Sequence, residues 1–327
     1  MTAAGEFNLI ERYFRRPAPS GMLGVGDDCA LLSPAQGCEL AVSTDMLVEG
    51  RHFFPDADPR QLGHKALAVN LSDLAAMGAR PLACTLALSL PRVDETWLQS
   101  FSEGFHALAQ EAQCPLVGGD TTGGAPGVVL CITVMGQVRR HQALRRDAAR
   151  VGDDIWVSGT LGAADIALRL AQGRLPADAA RLKAALPFLQ CPTPRLKLGR
   201  YLAGVAHAAI DISDGLLQDL GHILKASQCA ADVWLDALPP NPVLQGLPPE
   251  IRQDALLAGG DAYELCFTAH TRRREQIEIL SRQLDLPLSR VGVVRRGQGL
   301  RVLDADGQEI PVTRRGFDHF SDNPDHG

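Results

Sequence analysis

The chain has 327 residues, 46% hydrophobic, 21% charged and 5% aromatic, with 32 Lys and Arg against 38 Asp and Glu for a formal net charge of -6. This is the composition of a globular protein with one large or two medium domains and enough length for a substantial core. It excludes a disordered or fibrous chain, and the acidic balance argues against a nucleic-acid or membrane-surface partner.

Residues Met1 to Arg16 are charged and amphipathic, without the apolar stretch of a signal peptide. No apolar run approaches the roughly 18 residues that span a bilayer. Eight cysteines stand at 29, 38, 84, 114, 131, 191, 229 and 266, with no CxxC pair. Cys84 and Cys131 sit among apolar neighbours. The reading is buried, reduced thiols in a cytoplasmic protein, not a zinc site or disulfide framework.

In chain order, residues 38–45 read as a strand, with Leu40, Val42 and Thr44 on one side and Ala41, Ser43 and Asp45 on the other. Asp58 and Pro59 mark a helix start, and Gly78 a helix stop after Met77. A strand at 82–90, a helix at 94–112, a short strand at 115–117 ending on Gly118-Gly119-Asp120, and a strand at 128–138 follow. The Arg-rich segment around Arg139, Arg140, Arg145, Arg146 and Arg150 reads as an interdomain connection, giving domains 1–138 and 139–327. The second half predicts a strand at 154–158, helices from about 162 and at 195–204, a strand at 208–212 and a helix at 215–226. After a Pro-rich loop at 238–249 come a strand at 264–269, a helix near 272–283 and strands near 291–303. The alternation implies an α/β fold.

Carboxylates recur beside small residues where these elements end: Gly26-Asp27-Asp28, Ser43-Thr44-Asp45, Gly118-Gly119-Asp120-Thr121 and Asp211-Ile212-Ser213-Asp214-Gly215. Open α/β sheets bind ligands at strand ends, and glycine lets backbone approach phosphate closely. Each motif alone is equally a turn or a cap, and Asp214 reads either as an N-cap or as a ligand. The P-loop spacing, the dinucleotide fingerprint and the HRD and DFG tripeptides are missing. Asn70 and Asp73 share a face of an otherwise apolar helix. Asp73 is either on a solvated edge or a metal ligand, because a buried carboxylate needs a partner. Converging carboxylates repel one another unless cations intervene, and oxygen-only ligands favour Mg²⁺. The pattern points to metal-dependent phosphate chemistry.

Taken in order, Gly24 to Ala30, Ser43 to Phe53, Asn70 to Gly78, Gly118 to Thr121 and Asp211 to Leu216 resemble the thiamine-monophosphate kinase family, as do Gly5-Glu6-Phe7 and Gly316 to Phe320. The resemblance implies ATP-dependent phosphorylation of thiamine monophosphate to thiamine diphosphate. It also implies a two-domain aminoimidazole ribonucleotide synthetase-like α/β fold, an N-terminal sheet at the interface of a homodimer, and an active site between the domains. Carried over by motif, Asp28, Asp45, Asp73, Asp120, Asp211 and Asp214 match Mg²⁺ ligands, and Ser43 and Thr44 match positions adding oxygen contacts. Gly118, Gly119, Arg146 and Ser213 match ATP-contacting positions, although Arg145 stands beside Arg146. His52 matches a thiamine-phosphate contact and Phe317 an aromatic position against the thiamine. The family commonly shows Gly-Gly-Glu-Asp-Tyr-Glu where this chain has Gly259-Gly260-Asp261-Ala262-Tyr263-Glu264. Asp261 therefore stands for a substrate-contacting Glu with a shorter reach, and Glu264 reads as the start of a strand.

The acceptor is already a phosphate oxygen, with a second pKa of about 6, so no dedicated general base is expected. Selenophosphate-type enzymes of the same superfamily would carry a Cys or selenocysteine with a Lys in a Gly-rich N-terminal segment. The first 28 residues here hold neither Cys nor Lys. A purine-biosynthesis enzyme is compatible with the chemistry, but the segments Val48 to Phe53 and Asn70 to Ala79 argue against it. A non-catalytic Mg²⁺-nucleotide sensor would keep the carboxylates and need no thiamine contact.

Overall fold

The strand predicted from residue 38 runs further than its polar end suggested, as β1 (Cys38–Val48). Asp58 caps the next helix, accepting the Gln61 N–H at 2.9 Å, with Pro59 at the first position of α2 (Pro59–Ala76). Before β1 come a short helix, α1 (Glu6–Leu9), and a π-helical turn, Ile10–Phe14. After α2 come β2 (Arg80–Leu90), α3 (Glu95–Glu111) capped by Asp94, β3 (Leu116–Gly123) and β4 (Val129–Arg139). This computed structural model describes residues 6–25, 29–312, 314, 316 and 317, so the expected ligand Asp28 lies outside the described residues.

By its internal contacts the chain divides into residues 1–74 with 79–141, and residues 75–78 with 142–327. The division expected at 138/139 thus falls at 141/142, and the last turn of α2 groups with the second unit.

The first unit holds a four-stranded sheet in the order β1-β4-β2-β3. Both β4 pairings are antiparallel, while β2 and β3 run parallel. Leu86, Leu130, Ile132 and Val134 on one face are buried, as are Leu67, Leu71 and Leu74 of α2 and Phe101 and Phe105 of α3. The two helices cross backbone to backbone: a Cβ on Gly63 would lie 2.2 Å from the Phe101 carbonyl, and one on Gly104 1.9 Å from that of Arg60. The opposite face of β1 presents Leu40, Val42 and Met46 at 48%, 57% and 57% exposure.

The second unit begins with a 3-10 turn at Arg146–Ala148 and continues with β5 (Asp154–Ser158), α4 (Ala163–Ala171), α5 (Ala179–Gln190), α6 (Leu196–Leu202), β6 (Ala208–Asp211) and α7 (Leu216–Ser227). Then come β7 (Ala230–Trp234), α8 (Pro249–Leu257), β8 (Leu265–Ala269), α9 (Arg274–Leu284), β9 (Leu288–Arg295) and β10 (Gly299–Leu303). Its six strands are ordered β10-β7-β9-β5-β8-β6. Alternation along β5 feeds two cores: Ile155 and Val157 join the cluster of α7 and α8, and Trp156 joins that of α6 and α9. Helices α5 and α8 and strand β7 were not among the predicted elements.

Cys84, Cys114, Cys229 and Cys266 are buried, and all eight cysteines are free thiols. Burial pushes the Cys266 thiol well above its usual range. Among the described residues no helix is long and apolar enough to cross a membrane.

Candidate functional site

In the first unit, strand alternation sorts the Ser43-Thr44-Asp45 run. Ser43 and Asp45 share the face toward α2. The Ser43 hydroxyl donates to Asp73 Oδ2 at 2.5 Å. The Asp45 N–H donates to Asn70 Oδ1 at 3.0 Å, while Asn70 Nδ2 donates to the Ala66 carbonyl at 3.1 Å. Asn70 is fully buried, so its amide is structural: it pins β1 onto α2 and sets Asp45 near Asp73. Asp73 is half-buried and sits where a carboxylate can face both the strand and a ligand.

Two expected members of this group are placed elsewhere. Thr44 points to the opposite face, where its hydroxyl meets Thr133 Oγ1 at 2.8 Å. Neighbouring residues of a strand cannot direct their side chains to one face. Asp120 lies in the row Met46, Cys131, Ala87, Asp120, three strands away on that same open face. At ~4.8 Å per strand it stands roughly 14 Å along the sheet from β1. Within one sheet it cannot share an ion with Asp45.

The short strand expected at 115–117 instead continues through Gly118, Gly119 and Asp120 as β3. A Cβ on Gly119 would lie 1.9 Å from the Leu86 carbonyl, so sheet pairing alone demands glycine there. At Gly118 the nearest atom to a Cβ would be Thr85 Cγ2 at 3.7 Å. The fold leaves that position free to be larger. His52 follows the turn after β1, and its Nδ1 accepts the Val48 N–H at 3.0 Å. The proton of the neutral ring therefore lies on Nε2.

In the second unit, Asp211 closes β6 and the loop Ile212–Gly215 leads into α7. Asp214 does not cap this helix. Asp219, one turn inside, accepts the N–H groups of Ser213, Asp214 and Gly215 on a single oxygen at 3.0, 3.0 and 3.1 Å. Burial first, and the nearby Asp214 and Asp211 carboxylates after it, push the Asp219 carboxyl up to about 8. The loop thus carries an excess of negative potential, which a cation would relieve.

The segment 260–264 runs beside this loop. Asp261 N–H donates to the Ser213 carbonyl at 2.7 Å, Tyr263 N–H to that of Ile212 at 2.8 Å, and Ile212 N–H to that of Glu264 at 2.8 Å. Asp261 and Tyr263 both adopt positive φ, +57° and +49°, a strain of the kind that collects at functional sites. Tyr263 Oη donates to Asp261 Oδ1 at 3.0 Å. Glu264 turns inward instead, taking a bidentate ion pair from Arg195 and the Ser158 hydroxyl at 2.5 Å. Phe317 N–H donates to the Asp214 carbonyl at 3.0 Å. Its own carbonyl accepts from Gln218 Nε2 at 2.7 Å. Ser213, Asp214, Asp261 and Phe317 therefore gather about one loop, with Asp211 at its base.

Arg146 is not part of this group. Its carbonyl accepts the hydroxyl of Ser227 at 2.7 Å, at the far end of α7, about 17 Å of helix from the loop. Arg145 is committed to Asp147 through Nε and Nη2 at 2.8 and 2.5 Å. The Arg146 side chain is exposed and makes no ion pair among the described residues. A hollow of about 480 Å³ beside α7, between Leu217 and Val312, contains none of the expected site residues.

Among the described residues no three His, Cys, Asp or Glu side chains form a metal cage. Mg²⁺ commonly uses one or two carboxylates, its own waters and substrate phosphates. The pairs Asp45 with Asp73 and Asp211 with Asp214 fit that mode. Sequence reading missed Asp219 and Asn70 as organisers of the two groups. Both act on backbone groups, and the one signal was a polar residue on an apolar helix face.

A family profile described as "AIR synthase related protein, N-terminal domain" matches residues 26–138. The chain is 45% identical over 325 residues to a thiamine-monophosphate kinase of Escherichia coli strain K12, covering 98% of this chain and 99% of that one. Among solved structures, thiamine-monophosphate kinase from Stenotrophomonas maltophilia K279a matches at 49% identity and a TM-score of 0.82, covering 89% of this chain and 93% of that chain. AaThiL complexed with AMPPCP and TMP matches at 28% identity and a TM-score of 0.76, covering 88% and 89%. The shared sequence extends over almost the whole length, and this chain belongs to the thiamine-monophosphate kinase family.

Proposed function

We propose that this protein transfers the γ-phosphoryl group of ATP directly to the phosphate of thiamine monophosphate, giving thiamine diphosphate and ADP. The observation that carries the reading is the gathering of Ser213, Asp214, Asp261 and Phe317 about one loop. The acidic loop suits phosphates, and the backbone of Phe317, bonded to it, brings an aromatic residue suited to a flat heterocycle. The relative solved with AMPPCP, an ATP analogue, and TMP supports it.

The chemistry needs little from side-chain bases, because the attacking phosphate oxygen is already ionised near neutral pH. The obstacle is repulsion between two polyanions. One like-charge pair at 4 Å costs about 1 kcal/mol in water and about 4 kcal/mol at an effective dielectric of 20. Mg²⁺, when bound, supplies the neutralising charge between phosphate oxygens and protein carboxylates. Asp45 and Asp73 would hold it in the first unit, and Asp211 and Asp214 in the second. Ser43 orients Asp73, Asp219 fixes the course of the 213–215 backbone, and Phe317 and Asp261 orient the acceptor. Gly118 admits a nucleotide close to the β3 backbone, and the half-buried His52 offers its Nε2–H as a donor.

We also infer a cytoplasmic homodimer formed through the open sheet face. Leu40, Val42 and Met46 are too exposed and too apolar to remain in water.

Incubation with γ-labelled ATP, thiamine monophosphate and Mg²⁺ tests the reading. Labelled thiamine diphosphate is the expected product. Tight ATP binding without product would instead identify a nucleotide sensor.

A further inference from the structure

We propose that Arg314 is a positioning residue for thiamine-phosphate recognition, holding Phe317 in place through a partly buried ion quartet with Asp165, Arg169 and Asp254. The proposal rests on the reading that Phe317 and Asp261 contact the acceptor.

Arg314 lies three residues before Phe317. Its Nη1 stands 3.6 Å from Asp165 Oδ1 on α4 and 3.5 Å from Asp254 Oδ2 on α8. Arg169, one turn along α4, holds the same two carboxylates, with Nε 2.7 Å from Asp165 and Nη2 on Asp254. The Asp165 side chain is 5% exposed, and those of Arg169 and Arg314 are 16% and 26% exposed. Burial pushes the Asp165 carboxyl up, against the pull of both guanidinium groups. Two carboxylates and two guanidinium groups balance. Without Arg314, Arg169 alone would face both carboxylates, leaving one uncompensated negative charge in a half-buried group.

On either side of Arg314 the described residues of the terminal segment are tied through hydrogen bonds to their backbone. Gln253 Nε2 donates to the Pro311 carbonyl at 3.4 Å. Phe317 is held by its own N–H and by Gln218, at 3.0 and 2.7 Å. Among the described residues, Arg314 is the ionic anchor just upstream of Phe317.

Asp165 also supports the second substrate element. A Cβ on Gly259 would lie 2.8 Å from Asp165 Cβ and 2.4 Å from the Ala255 carbonyl, so the Gly259-Gly260-Asp261 turn rests directly on this residue. One buried side chain thus meets both elements, Asp165 reaching Arg314, on the segment carrying Phe317, through its carboxylate and the turn carrying Asp261 through its Cβ. Both end on the Ser213–Asp214 loop, at 2.7 Å and 3.0 Å. Supporting shells of this kind decide whether a site is held tightly enough to work.

The test is steady-state kinetics of R314Q, R314K, F317A and the double variant R314Q/F317A, with thermal melting of each. R314Q is expected to raise KM for thiamine monophosphate about tenfold, with KM for ATP and kcat within about twofold of wild type. R314K, which keeps the charge at these single-nitrogen contacts, restores most of the loss. The double variant is no worse than F317A alone, because both changes remove the same ring contact. If R314Q gives no folded protein, D254N weakens the same tie from α8 and carries the same expectations. An unchanged KM for thiamine monophosphate, equal losses for both substrates, or additive losses in the double variant would overturn the positioning role while leaving the kinase reading intact. A wild-type protein that binds ATP yet makes no thiamine diphosphate would overturn both.

Discussion

Ser43 donates its hydroxyl to Asp73 at 2.5 Å, joining strand β1 to helix α2 through a charge-assisted hydrogen bond. Such a bond is worth about 2 kcal/mol and aims the carboxylate. D73N keeps the side-chain shape and removes the charge. Turnover should fall roughly 100-fold or more, with melting temperature little changed. A Mg²⁺ titration at saturating substrates checks it, and near-normal turnover at limiting Mg²⁺ would remove Asp73 from the ligand set. S43A should show a smaller loss of the same kind.

Asp219 has a carboxyl raised to about 8 by burial and by Asp214. A carboxyl whose pKa is higher folded than unfolded adds stability that is complete below about pH 4, declines as pH rises and is gone above about pH 8. Metal-free protein should therefore lose this contribution to its melting temperature between pH 5 and 8.5. D219N keeps an acceptor for the three N–H groups and should flatten that slope, whereas D219A should loosen the loop and melt lower at every pH. Parallel wild-type and D219N slopes would contradict the assignment.

Asp261 adopts φ +57°, which Asn tolerates as well as Asp does. D261N should melt like wild type and raise KM for thiamine monophosphate about tenfold, leaving KM for ATP alone. D261E restores the family's usual length but strains the turn, so melting should fall by a few degrees.

The two glycines of β3 make opposite predictions. G119A drives a methyl into the Leu86 carbonyl and should destabilise by about 2 kcal/mol. G118A meets no crowding and should melt normally while raising KM for ATP. Equal melting temperatures for the two variants would contradict the sheet register.

Much of this was legible locally. Asp58 with Pro59 and Asp94 mark helix starts because a cap acts on residues two or three positions away. Alternation along Cys38–Val48 already placed Thr44 opposite Ser43 and Asp45. Other features depend on contacts distant in sequence. Asp165 meets Arg314 only because α4, α8 and the terminal segment converge. Helix α8 begins at Pro249 in a Pro-rich stretch that reads as loop, although Pro suits the first helical turn. The 118–120 motif looked like a strand end, yet pairing with β2 carries β3 through it. Asp219 was hidden because its partners are backbone N–H groups, which leave no pattern in side-chain chemistry.

The most direct measurement is single-turnover transfer of γ-label from ATP in wild-type and D73N protein, with Mg²⁺ and thiamine monophosphate present. The account predicts that wild type places one label in the terminal phosphate of thiamine diphosphate for each ADP formed, and that D73N binds thiamine monophosphate but transfers almost none. Label recovered as free phosphate, or equal transfer by the two proteins, would contradict it.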